Sequence, residues 1–438
     1  MAGLNVTLDI GLQTLQNTQT EIQTASNNIS NASTAGYATE TAVQTANPAI
    51  LTPSGWLGTG ATISQITQAR DQFLEQQLMN AMSDDSQYTS LSTQLTSIQS
   101  ASSDSGDDGI SQALGNFFDA WNTLAQNPTG LSEQTGVYSA AQGLASAVQS
   151  TYNQLNQIAT QMPGQIQNTV DQANALIAKI AQLNTAIAQN QTPTCQPNDL
   201  IDARYQAMDS LAQLIPVSFS QDPTTGMVNV TTTNANGSLP VVSGATGIPL
   251  TASTSSTITG GQLGGLLTAQ TNLTGYISQL NDFASTLMLQ VNNISEESEG
   301  GNLNPALAVF GGTDASSITA STSFLSGPTG AELSSSAQAI GDLQDSQVTF
   351  TDGTSATPEQ YLSNIQQTVG DDVQQANNNQ SFYDSLQTQL QTQQESVSGV
   401  SIDQEMINVI QDQQVYEAAA KVIETASTLM STITSMIT

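Results

Sequence analysis

Apolar side chains return at every seventh position at both ends of this chain. Near the N-terminus Leu8, Leu15, Ile22 and Ile29 form one stripe, with Leu4, Leu12 and Ala25 beside it. Near the C-terminus Ile402, Val409, Tyr416, Ile423, Met430 and Ile437 form another, with Met406, Gln413, Ala420, Ser427 and Thr434 at the intermediate positions. A strict seven-residue period drifts around an isolated straight helix, so it predicts helices that wind about a partner. Termini are where most domains keep loose tails. Stripes placed there need a partner, either each other or other copies of the chain.

The pattern between them predicts mostly helix. Residues 1 to about 30 read as amphipathic helix, stopped by the Asn, Ser, Thr and Gly of Ser26-Asn27-Asn28-Ile29-Ser30-Asn31-Ala32-Ser33-Thr34-Ala35-Gly36-Tyr37. Pro48 to Gly60 reads as irregular or short strand. Helical periodicity resumes near Ile66 and carries Phe73, Leu74, Leu78, Met82, Leu91, Leu95 and Ile98. A polar loop follows at Ser102–Gly109, with acids that are not spaced as a calcium loop requires. From Ile110 to Gln126 one face holds Leu114, Phe117, Phe118, Trp121 and Leu124, and Asn127-Pro128-Thr129-Gly130 ends it. A long tract runs from about Ser132 to Gln191 with an interruption at Met162-Pro163-Gly164, and another helix spans Asp199 to Leu214. The texture then changes: Val217–Ser220 and Met227–Val230 alternate around an Asp222–Gly226 turn, a hairpin signature, and β-like sequence continues to Gly261. Helix returns from Leu263 to about Ile294, 300 to 357 carries weak strand signals, and Pro358 opens a tract to about Ser396. After a break at Ser398-Gly399 the last helix begins at Ile402.

The predicted fold class is mainly α with a smaller β-rich part. It is nested: a terminal coiled coil of 1–45 with 402–438, an elongated helical-bundle domain of 46–215 with 262–299 and 358–401, and a β-rich distal domain of 216–261 with 300–357.

Composition narrows the function. There are 36 acidic side chains against four basic ones (Arg70, Lys179, Arg204 and Lys421), no His, and a net charge of -32. That balance argues against nucleic acid and anionic membranes as partners. Charged residues are only 9% of the chain, so the imbalance comes from missing bases. Two readings stay open: acid surroundings, in which the carboxylates neutralise, or low-charge drift in an extracellular protein. Cys195 is alone, which excludes an internal disulfide. The N-terminus lacks the basic and apolar regions of a secretory signal, and no stretch reaches the apolar length of a membrane span.

Catalytic chemistry finds no footing. Without His there is no Ser–His–Asp or Cys–His pair. Gly260-Gly261-Gln262-Leu263-Gly264-Gly265 has no basic residue near it to make a phosphate loop. The carboxylate pairs Asp107/Asp108, Glu296/Glu297 and Asp371/Asp372 sit in polar settings and read as solvated surface. The chain is read as a non-enzyme, with no catalytic, cofactor-binding or metal residues.

Three groups of residues carry a resemblance. Ser26–Tyr37 resembles the signature of the bacterial flagellar rod, hook and hook-associated axial protein family. Ser396-Val397-Ser398-Gly399-Val400-Ser401-Ile402-Asp403-Gln404-Glu405 and Gln413-Gln414-Val415-Tyr416-Glu417-Ala418 resemble its C-terminal signature. Leu114-Gly115-Asn116-Phe117-Phe118-Asp119-Ala120-Trp121, Leu124–Pro128 and Asp199-Leu200-Ile201-Asp202-Ala203-Arg204 resemble the hook-associated branch that forms the junction between hook and filament. The likeness is weak across 230–260 and 300–357.

The resemblance implies an extracellular structural subunit of the flagellum, exported unfolded through the flagellar type III route. Its implied partners are other copies of itself, the hook protein, hook-associated protein 3 and an export chaperone, with no nucleic acid, membrane insertion or cofactor. The implied assembly interface comprises Leu8, Leu12, Leu15, Ile22, Ile29, Asn27, Asn28, Asn31, Gly36 and Tyr37 with Ile402, Met406, Val409, Tyr416, Ile423, Met430 and Ile437. The alternatives are a hook or distal rod subunit of the same family, or a secreted coiled-coil adhesin. The chain departs from the family pattern at Ala38-Thr39-Glu40, where basic residues are usual, and at Asn292–Glu297, which lacks an expected His.

Overall fold

The computed structural model of the chain describes residues 2–52, 55–103, 109–192, 196–297, 307–325 and 330–437. The acids of the expected polar loop at 104–108, including Asp107/Asp108, and Cys195 lie outside them. The fold is mainly α with a smaller β part, and its backbone falls into two compact units.

The first unit comprises residues 1–85, 170–261 and 382–438. It contains helix α1 (Ala2–Asn31), a ribbon of β1 (Glu40–Ala46) against β4 (Ala61–Gln68), and the smaller hairpin β2 (Ile50–Thr52) with β3 (Gly55–Leu57) between them. It also holds the start of α2 (Gln72–Ser102) and the end of α4 (Leu131–Asn190). Next come α5 (Asn198–Leu214) and the antiparallel sheet β5 (Ser218–Gln221), β6 (Val228–Asn234), β7 (Gly237–Ser243) and β8 (Thr246–Gly247). The short α6 (Ala252–Ser255), the end of α9 (Pro358–Ser398) and α10 (Ile402–Ile437) complete it. The sheet buries Val228 and Val230 at alternate positions, the half-covered strand pattern that the hairpin signature predicts.

The second unit comprises residues 86–169 and 262–381. Here α3 (Ile110–Gln126) sets Leu114, Phe117, Phe118, Trp121 and Leu124 into the core, the same face the sequence predicts. Trp121 meets Phe324 edge-on at 5.5 Å and Phe117 lies 5.3 Å from Phe310. Helix α7 (Gly261–Glu296) packs so closely on the α2 backbone that a Cβ at Gly265 would lie 2.3 Å from the Gln87 carbonyl oxygen. The two-residue pairs β9 (Phe310–Gly311) with β10 (Thr319–Ala320) and β11 (Val348–Thr349) with β12 (Ser355–Ala356) are the strands among the described residues of this unit.

Several elements differ from the sequence expectation. Ile66 lies in β4, and the helix begins only at Gln72, because Asp71 accepts the backbone N–H groups of Phe73 and Leu74 as a cap would. Helix α4 runs unbroken through Pro163, with the buried Leu155, Met162 and Val170 pinning it on both sides of the imide. Helix α8 (Gly330–Asp342) forms in a stretch expected to be weak strand. Its Ser residues lower helix propensity, and the burial of Leu333, Ala337 and Ile340 on one face overrides it. The two β-rich stretches, 216–261 and 300–357, fall in different units.

Trp121 is fully buried, and its indole N–H has no acceptor among the described residues. Trp121→Ala is expected to destabilise the second unit by about 3–5 kcal/mol, read from the urea midpoint. Trp121→Phe removes the unpaired donor along with some volume, and should cost clearly less.

Candidate assembly site

Helices α1 and α10 lie antiparallel, with Gly11 beside Ile423 at one end and Asn28 beside Glu405 at the other. The innermost line of the seam is made of small residues. Gly11, Thr18 and Ala25 are buried on α1, and Ala419 and Ala426 on α10, each set spaced by seven. A Cβ at Gly11 would come within 2.7 Å of the Ile423 side chain, so the absence of one permits this approach. The large apolar residues flank that line. Leu8, Leu15, Ile22, Ile29, Val409, Ile423 and Met430 are half-buried. Leu12 (52% exposed), Ile402, Met406 and Tyr416 are open to solvent in the single chain. The seven-residue period is real, but small side chains occupy its closest approach and displace the large ones outward. The side chain of Ile437 lies outside those described.

The Asn-rich signature builds the other side of α1. Asn28, 1% exposed, makes all four bonds that a primary amide can make. Its Nδ2 donates to the Glu40 carbonyl at 2.9 Å and to Glu405 Oε1 at 3.2 Å. Its Oδ1 accepts the Glu40 N–H at 3.0 Å and the Tyr37 hydroxyl at 2.7 Å. One side chain therefore ties α1 to the first residue of β1, to the following turn and to α10. Asn31 Nδ2 donates to Asn27 Oδ1 at 3.0 Å, and Asn27 in turn reaches Tyr37 and Glu40. Gly36 carries a φ of 78°, the left-handed backbone that closes the turn. Glu40, placed where a basic residue was expected, accepts from Asn198 Nδ2 at 2.7 Å. Thr39 bonds the carbonyls of Ser398 and Gly399, so the break between α9 and α10 is held against the turn after α1. The two turns border a solvent-open hollow of about 660 Å3.

Arg70 anchors this junction from below. Its guanidinium donates to Glu75 and Asp202, both at 2.8 Å, and to the Gly36 carbonyl at 2.5 Å, and it lies 4.5 Å from the Tyr205 ring centre. Glu75 also accepts from Gln394 at 2.7 Å. The helices α2, α5 and α9 thus meet the turn through one cation. Sequence reading passed over Arg70; the signal was its rarity as one of four bases. The fully buried Arg204 donates to Asn184 Oδ1 and to the Gly226 carbonyl, and burial lowers its pKa to about 10. Asp209, whose buried Oδ1 finds no donor among the described residues, is pushed up to about 7 by burial and then by the Glu75 charge, against the pull of Arg70. In the seam itself Asp412 is raised by burial and by Glu21 and Glu405. No described group of three or more acidic or Cys side chains is arranged to hold a metal.

Residues 95–310 match the family described as Flagellar hook-associated protein FlgK helical domain. Residues 8–37 match Flagella basal body rod protein, and 392–436 match Flagellar basal body rod FlgEFG protein C-terminal. Among curated relatives, Flagellar hook-associated protein 1 of Salmonella typhimurium is 30% identical over 219 residues, 49% of this chain and 39% of that protein. Its Bacillus subtilis counterpart is 24% identical over 226 residues, covering 50% of this chain and 45% of the relative. The chain thus spans less than half the length of these relatives. A solved structure, the flagellar hook junction protein FlgK from Burkholderia pseudomallei, overlaps 54% of this chain and 46% of its own, at 27% identity and a TM-score of 0.46.

Two outcomes test the junction. Asn28→Ala leaves the Glu40 backbone and the Tyr37 hydroxyl short of partners, at an expected cost of about 1–3 kcal/mol. Asn28→Asp should cost more, since it removes the donor and sets a carboxylate against Glu405; thermal melts of both variants decide. For Asp209, a folded-state pKa raised above the unfolded value means that its favourable contribution is full below about pH 4 and is lost as pH rises through 7. Asp209→Asn should therefore raise the melting temperature at pH 8 and leave it nearly unchanged at pH 4.5.

Proposed function

Because this chain belongs to the family of flagellar rod, hook and hook-associated axial proteins, we propose that it is the structural subunit joining hook to filament. The observation that carries this reading is the order of the matches along the chain. Rod-type descriptions cover α1 and α10 with their turns, while the hook-associated description covers α3, α4, α5 and α7 between them. A hook or distal rod subunit would share the ends, but the buried Phe117-Phe118…Trp121 block lies in the hook-associated match.

The proposed partners are other copies of this chain, the hook protein on one side, hook-associated protein 3 on the other, and an export chaperone before assembly. Its place is the outside of the cell, reached unfolded through the flagellar type III route. No described helix is long and apolar enough to cross a membrane. The proposed assembly surface is the outer side of the α1–α10 pair with the turn Asn27, Asn28, Asn31, Gly36 and Tyr37. Leu12, Ile402, Met406 and Tyr416, open in the single chain, and the half-buried Leu8, Leu15, Ile22, Ile29, Val409, Ile423 and Met430 lose their remaining exposure against neighbours. Ile437 continues the stripe. Each large side chain taken fully from water contributes roughly 1.5–3 kcal/mol. Docking entropy and the repulsion of chains at -32 oppose that gain.

Immunogold labelling of flagella from the source bacterium, with antibody to residues 217–355, reads the assignment. A single band at the hook–filament boundary is expected. Label along hook or filament would move the chain to another axial role, and label absent from flagella would overturn the reading. Leu15→Asp and Ile423→Asp chains should keep the helical second unit and fail to appear in that band; normal incorporation of both would remove the stripes from the interface.

A further inference from the structure

Besides the residues already assigned to the assembly surface, two apolar surfaces of the first unit stand exposed among the described residues. One is the hairpin β2–β3, where Leu51 (70% exposed) stands opposite Trp56 (73% exposed) on one face, and Ile50 opposite Leu57 on the other. The second is a stripe on α10 one residue ahead of the seam stripe: Val415, Val422, Leu429 and Met436, spaced by seven and all exposed. A heptad stripe is a surface shaped for a long, close contact.

The hairpin and the distal half of the stripe, Leu429 and Met436, lie in uncharged stretches of a strongly acidic chain, whereas Val415 and Val422 lie among Asp412, Glu417, Lys421 and Glu424. No charged residue occurs between Thr41 and Ala69, or between Thr425 and Thr438. Copies carrying a net charge of -32 repel each other, and contact through these two stretches brings no like charges face to face. They also belong to the same end of the terminal pair. The β1–β4 ribbon descends along α1, with Glu40 beside Asn28, Gln44 beside Glu21 and Asn47 beside Gln13. The hairpin lies beyond that last level, and Ile423 of α10 already faces Gly11 there. Among the described side chains the outward face of α1 offers no equivalent stripe, being polar apart from Leu12.

We infer that the Leu51/Trp56 face of one chain docks on the Val415–Val422–Leu429–Met436 stripe of a second copy. The contact is heterologous, joining two different patches, so it leaves each copy with one free hairpin and one free stripe and supports continued addition around a ring or along a tube. Stripe-to-stripe pairing would close a dimer and stop. The inference rests on the axial-subunit reading and supplies one of its subunit contacts.

Sedimentation velocity of the whole protein over a concentration series tests it. The wild type should associate, and Trp56→Glu and Leu429→Glu should each raise the association midpoint more than tenfold with circular dichroism unchanged. If either variant loses helix content, Trp56→Gln and Leu429→Gln take their place. An equimolar mixture of the two variants should form a species of two chains and nothing larger, because one still offers its hairpin and the other its stripe. A Trp56→Glu chain that associates like the wild type, a mixture that stays monomeric, or a wild type with no association at millimolar concentration overturns the contact. Gold label at the hook–filament boundary alongside such a result would leave the axial assignment standing; label absent from flagella would remove that assignment whatever the sedimentation shows.

Discussion

A primary amide has one donor edge and one acceptor edge, the same pair that a peptide unit offers, and this fold uses that equivalence repeatedly. Helix-borne Asn and Gln side chains grip the backbone of distant segments as a neighbouring strand would. Asn17 takes the Ala61 carbonyl and the Ile63 N–H, and Asn28 takes both groups of Glu40. Gln76 holds Val217 and Phe219, Asn174 holds Leu250, Asn184 holds Val228, and Asn292 holds Phe310. Each grip satisfies polar groups that would be costly to leave unpaired. Together they let long helices dock ribbon edges and irregular chain that offer little apolar surface.

This explains how a chain so poor in cations holds its parts in register. Most junctions that ion pairs might fix are fixed by neutral amides, and Arg70 is the principal exception. It sits where Glu75 and Asp202 converge, so removing it would strand two carboxylates at once. Burial first, and then neighbouring acids that no base fully offsets, make Asp209 and Asp412 hold their protons more tightly. The acidic composition is thus built into the terminal seam and its base as well as the outer surface.

Much of this was legible in the sequence. The terminal periods, the Asn-rich stop, the aromatic face of α3 and the β5–β6 hairpin follow from local pattern, because each element carries its own signal. The seam misled because period reveals which residues share a face and not which of them lie innermost; Gly11, Thr18, Ala25, Ala419 and Ala426 give no hydrophobic signal. The ribbon β1–β4 was missed because its strands are short of alternation and lean on α1. The amide grips are hidden for another reason: Asn184 and Val228 are 44 residues apart and Gln76 and Val217 are 141 apart, and nothing near either residue announces its partner.

The neutrality of those grips gives ionic strength a single sign of action on the molecule. Dissolved salt shortens the reach of charge–charge forces. In most proteins that weakens attraction and repulsion alike. Here the attractions that hold helix to ribbon are dipolar and local, while the long-range force is almost wholly the mutual repulsion of carboxylates. Apart from the Arg70 ion pairs, salt therefore relaxes what pushes the chain apart and leaves untouched what draws it together, so the passage from dilute to saline water is a passage toward a tighter fold.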